Sequence, residues 1–183
     1  SGGLHRLMVN PLHEFPIAMH FAKCLKALPL LAILCVTGLA HSQPTAATPL
    51  ALQATNLAGE RFVAQERLRS KVAIVFFWST ACAVCRDSLP ELRANLAGWR
   101  DKPFALVTVN VDRNPADWQA YERILGQTQS PPKGLFALRQ DATVPAPAKL
   151  PLTLLVNAQG QVVARFEGRL APEAWDGVAD LMP

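Results

Sequence analysis

An unbroken apolar run, Val72-Ala73-Ile74-Val75-Phe76-Phe77-Trp78, leads within four residues to Cys82-Ala83-Val84-Cys85 and a segment of helical spacing. Such a run has no polar face to give to water, so it is expected as a central strand covered on both sides. The two thiols fall where that strand ends and a helix begins. A bridge this short closes almost no loop and restricts the unfolded chain little. The pair therefore reads as a redox couple rather than a brace. At a helix start the free backbone N–H groups and the dipole favour a thiolate on Cys82. Cys85 can then close the disulfide within the chain.

Around this unit the pattern alternates between strands and helices. Leu50–Thr55 and Arg61–Val63 flank Ala58-Gly59-Glu60 and read as a β-hairpin. Gln65–Ser70 reads as one helical turn. Cys82–Gly98 carries Val84, Leu89, Leu92 and Leu96 on a helix that Gly98 stops and Pro90 should kink. Phe104–Val111 is a second buried strand. Asn114-Pro115 starts a helix, Asn as cap and Pro at its first position, running to about Leu125. The Pro-rich stretch from Gly126 to Lys149 is expected as loop, with a short extended piece at Gly134–Leu138. Leu152–Val156, the turn Asn157–Gly160 and Gln161–Glu167 form a second hairpin, and Pro172–Leu181 a closing helix. The expected fold is α/β, a central mixed sheet flanked by helices with an extra N-terminal β-hairpin.

Residues 1–18 are set apart as a leader. Met19–Ser42 reads as a signal peptide: Lys23 and Lys26, an apolar core at 27–40, and cleavage after Ala40-His41-Ser42. The alternative is a membrane anchor formed by residues 27–40. Residues 43–49 are expected as a linker and 50–183 as one domain, exported and periplasmic. Cleavage removes Cys24 and Cys35, leaving Cys82 and Cys85 alone. It also removes His5, His13, His20 and His41, all four histidines. A Cys/His zinc site then has nothing to complete it. A c-type haem site needs His after the second cysteine, where Arg86 stands. A His-assisted nucleophile is excluded. The formal net charge is +4. Half of it lies ahead of the cleavage site, and the remaining arginines are scattered. No basic stripe with aromatics points to nucleic acid.

Four features then coincide. Trp78 stands four residues before Cys82, Pro90 five after Cys85, and Leu150-Pro151 just ahead of a short strand. Pro151-Leu152-Thr153-Leu154-Leu155-Val156-Asn157-Ala158-Gln159-Gly160 completes the set. Together they resemble the thioredoxin superfamily, and within it the exported TlpA/ResA-like branch, over about residues 43–183.

That resemblance implies a thiol–disulfide oxidoreductase acting on cysteine pairs of exported proteins. Cys82 attacks and Cys85 resolves the mixed disulfide. Pro151, expected cis, leaves the Leu150 backbone free for a client's extended chain, and Trp78 is expected either as a further contact or as packing beside the motif. The only redox group implied is the Cys82–Cys85 disulfide, with no metal. A membrane electron donor would recycle it, clients in cytochrome c or oxidase maturation are expected, and the protein should be a monomer. Departures stand out. Phe76 occupies the place of a buried Asp or Asn, and Ser88, beside Asp87, that of a Glu. The groups that usually move the proton of the buried thiol are thus missing. A peroxiredoxin reading fails because its motif needs Pro where Val75 stands. Two readings without turnover are kept as rivals: a thiolate module gripping copper(I) or a client, and a scaffold.

Overall fold

The computed structural model describes residues 47–183, so the expected leader (1–18), signal peptide (19–42) and start of the linker lie outside the described residues. The end of that linker is not loose. Thr48–Pro49 forms strand β1, paired antiparallel with Gln161 and Val162. Proline is compatible there because a sheet margin asks it for no donor.

The sheet grows from β3, Val72–Trp78, in which every residue is buried. Its neighbours are β4, Phe104–Asn110, parallel, and β6, Leu152–Val156, antiparallel. Outside these lie β5, Leu135–Gln140, and β7, Gln161–Glu167, with β1 and β2 (Ala54–Thr55) at the margins. The order is β1-β7-β6-β3-β4-β5-β2, a seven-stranded mixed sheet. Ala54–Thr55 pairs with Gln140 and Arg139 of β5, and meets Arg61 in a single bridge across the Asn56–Glu60 turn.

Alternation along β3 divides the core. Val72, Ile74, Phe76 and Trp78 face one layer, with Leu89, Leu92 and Leu96 of helix α2 (Ala83–Gly98), Trp118 of α3 (Pro115–Thr128) and Val178 of α4 (Glu173–Asp180). Ala73, Val75 and Phe77 face the other, under Ala64 of the short α1 (Ala64–Arg67), Leu68, Leu50 and Phe62. A fully buried side chain of this size contributes about 1.5–3 kcal/mol, so β3 alone explains why the sheet forms around it.

The segment expected mostly as loop differs. Helix α3 runs through Gly126 to Thr128, since one exposed glycine near a helix end costs only about 1 kcal/mol. Beyond Pro131-Pro132, Gly134 at φ +88° turns the chain into β5. That strand is a full member, parallel to β4 from Leu135↔Leu106 to Arg139↔Asn110.

Candidate active site

Parallel β3 and β4 end side by side, Trp78 opposite Asn110. At the carboxyl ends of such strands the chain must turn, and the loops there build sites. Here β3 runs through Ser79-Thr80-Ala81 into Cys82, the N-cap of α2. Cys82 and Cys85 are joined as a disulfide with Cα atoms 5.2 Å apart. Cys82 is half-buried whereas Cys85 is wholly buried, within the apolar layer beside Phe76 and Leu89. The Cys85 N–H donates to Cys82 Sγ at 3.2 Å. This is the helix-terminus donor that would hold negative charge on Cys82 once the bond opens.

The turn ahead of Cys82 is fixed from the next strand. Asp112, just past the end of β4, lies 9% exposed. Its carboxylate accepts from the Ser79 hydroxyl, from Thr80 N–H at 3.0 Å and from Asn110 Nδ2 at 2.9 Å. The Ser79 hydroxyl in turn accepts from Ala81 N–H at 3.1 Å. Arg86 reaches back to donate to the Thr80 carbonyl. Arg139 of β5 donates to the Asp112 carbonyl at 3.0 Å. None of Ser79, Asp112 and Arg139 was among the expected site residues. The signal available was Asn110-Val111-Asp112 closing a buried strand next to the one that delivers the cysteines.

Leu150-Pro151 is a cis peptide. It immediately precedes Leu152, which pairs with Phe77, so it stands at the end of the sheet from which Cys82 rises. Pro151 is buried, and its carbonyl accepts from Gly168 N–H at 2.8 Å. Leu150 is half-buried, and among the described residues neither its N–H nor its carbonyl has a backbone partner. Val84, 46% exposed, adds apolar surface beside the sulfurs. The Pro-rich loop contributes Val144 and Pro145 to a cleft of about 370 Å³ that also touches Asp112 and Arg139.

Trp78 is not at this surface. It is 0% exposed, in edge contact with Tyr121 at 4.8 Å between ring centroids. Its place in β3 points it inward, so it supports the site from beneath and offers a client nothing to touch. Ser88, at the place where the branch keeps a Glu, and Asp87 beside it differ in burial. Asp87 is exposed. Ser88 is buried, with its hydroxyl donating to the Val84 carbonyl at 2.8 Å. The apolar layer does hold an unpartnered hydroxyl, Thr153 Oγ1, on the residue of β6 opposite Phe76.

Helix α3 carries two titrating groups shifted from their usual range. Burial pushes the Glu122 carboxyl above its usual range, while Arg93 and the Trp118 indole pull it back. Burial likewise raises Tyr121, against Arg93. Among the described residues no group of three or more His, Cys, Asp or Glu could hold a metal ion. No helix of theirs is long and apolar enough to cross a membrane.

The family model described as AhpC/TSA family matches residues 45–174. No curated protein matches the sequence. Solved structures share the fold. A thiol:disulfide interchange protein from a Bacteroides species superposes with a TM-score of 0.57 at 20% identity, over 73% of this chain and 88% of that one. A thioredoxin-family thiol:disulfide interchange protein from Chlorobium tepidum gives 0.54 at 19%, over 73% and 94%. StoA from Bacillus subtilis gives 0.51 at 19%, over 72% and 98%.

Proposed function

Because the chain belongs to the AhpC/TSA family and is a thioredoxin-like oxidoreductase, we propose that it exchanges its Cys82–Cys85 disulfide with cysteine pairs of exported proteins. The observation that carries this is the unequal burial of the two sulfurs at one helix start, Cys82 reachable and Cys85 enclosed. It supports a fixed division of labour. Working as a reductant, Cys82 thiolate attacks one sulfur of a client disulfide, forming a mixed disulfide and releasing the client's other sulfur as thiolate. Cys85, once deprotonated, attacks Cys82 Sγ and releases the second client sulfur. Two electrons pass to the client, and the domain is left oxidised. A membrane dithiol donor would return it to the reduced form. The unpaired Leu150 peptide, at the end of the sheet from which Cys82 rises, supports docking of the client's extended chain across the sulfurs. The known chemistry of the TlpA/ResA-like branch favours the reducing direction and clients in cytochrome c or oxidase maturation, and fits export through the N-terminal segment into the periplasm.

The test is trapping. Cys85→Ser should accumulate mixed disulfides with a two-cysteine client peptide, and Cys82→Ser should accumulate none. Equal behaviour of the two variants would sink the assignment. A reduced wild-type domain that binds copper(I) but exchanges with no dithiol would turn it into a thiolate-binding module instead.

A further inference from the structure

Asp112 lies outside the dithiol, yet most of the turn that carries Cys82 depends on it. Its carboxylate takes the Ser79 hydroxyl, the Thr80 N–H and the Asn110 amide, and among the described residues no Lys or Arg donates to it. Through Ser79 it also orders the next two amides. Ala81 N–H donates to Ser79 Oγ at 3.1 Å, and Cys82 N–H to the Ser79 carbonyl at 3.1 Å. Asp112 is itself held at both ends of its backbone. Its N–H donates to Asn110 Oδ1 at 3.0 Å, and its carbonyl accepts from Arg139. Val111 N–H donates to the Trp78 carbonyl at 2.9 Å, tying the segment to the end of β3. Three strands thus converge on one short turn, and the anchoring point is a carboxylate only 9% exposed.

We propose that Asp112 is a positioning residue for the Cys82–Cys85 couple: by fixing the Ser79–Ala81 turn it favours the closed disulfide over the open dithiol. The effect is positional. A held turn keeps one sulfur near the other, so ring closure starts from a high effective concentration. A loosened turn costs the dithiol little, because nothing need then be held at bonding distance. Asp112 therefore makes the couple a stronger reductant, in keeping with the direction proposed above, on whose dithiol reading this inference rests.

The test compares wild type, Asp112→Ala, Ser79→Ala and the double variant in glutathione buffers, with acid-quenched alkylation reading the oxidised-to-reduced ratio. An unfolding midpoint is taken for each redox form. Purely structural weakening lowers both midpoints together and leaves the exchange equilibrium in place. Positioning shifts that equilibrium toward the dithiol in both single variants, by about three- to a hundredfold, inside the range of coupling within one hydrogen-bond network. The double variant should move no further than the larger single one, because the two residues act as one unit. Should Asp112→Ala fail to fold, Ser79→Ala decides alone, since it cuts the same relay at a half-exposed residue. Equilibrium constants within twofold of wild type overturn the proposal. So does a shift in Asp112→Ala with Ser79→Ala unchanged, which would assign the effect to charge rather than position. A wild-type domain that does not exchange with glutathione at all overturns the dithiol reading, and this inference with it.

Discussion

Thr153 brings a hydroxyl into a layer of Phe76, Leu89 and Cys85 where no described residue receives it. An unpaired buried hydroxyl costs about 1–3 kcal/mol, while a methyl of the same shape costs nothing there. Thr153→Val should therefore stabilise the oxidised domain by about 1 kcal/mol, read as a higher urea midpoint with an unchanged slope. Loss of stability would show that the hydroxyl has a partner. At this scale the cysteines stand out in the sequence through their place at a strand-to-helix junction, in register with Trp78, Pro90 and Pro151. Asp112 does not, since a single acid after a buried strand looks like any solvated loop residue until the neighbouring strand is placed beside it. Trp78 allowed two readings, a surface contact or packing beside the motif, and its burial favours the second. Its separation from Cys82 was right, but the side to which an indole turns at a strand end depends on what covers the sheet, here Tyr121 on α3.

Two glycines in the Pro-rich half of the chain separate by the elements they serve. Gly134 opens β5 at φ +88°, and a Cβ there would lie 3.3 Å from the Phe104 carbonyl oxygen. Gly126 lies in α3 with open space around it. Gly134→Ala should destabilise by about 1–2 kcal/mol, and Gly126→Ala should stabilise by up to about 1 kcal/mol. Thermal unfolding of the two variants checks both signs, and matching signs would contradict this account of the β5 entry. The same glycines explain what was hard to read. Helices α2 and α3 and strands β3, β4, β6 and β7 follow directly from apolar period, caps and turn residues. Strand β5 was read short because Pro131, Pro132 and Gly134 crowd its start and because it is mostly half-buried. Its membership is decided by pairing with β4 and β2, which no local pattern carries.

For the molecule as a whole, pH dependence combines opposed contributions. Glu122 is raised by burial, so the folded state holds its proton more tightly than the unfolded chain does. Stability from this group falls as pH rises from the ordinary carboxylate range through the folded value, and the full penalty is present above it. Glu122→Gln should then raise the unfolding temperature at pH 7, with the gain shrinking toward pH 3. A gain that is the same at both values would exclude this cause. Asp141 runs the other way. It is lowered by hydrogen bonds from the Thr143 N–H and hydroxyl, so its contribution is present above the ordinary aspartate range and is lost as pH falls below it.

Strand β1 meets Gln161 and Val162, beside Val156, whereas Cys82 follows the opposite ends of β3 and β4. The polypeptide thus comes into the fold at one pole and exposes its sulfur at the other. A contact made along β1 therefore leaves the half-buried sulfur of Cys82 uncovered at the far end of the sheet.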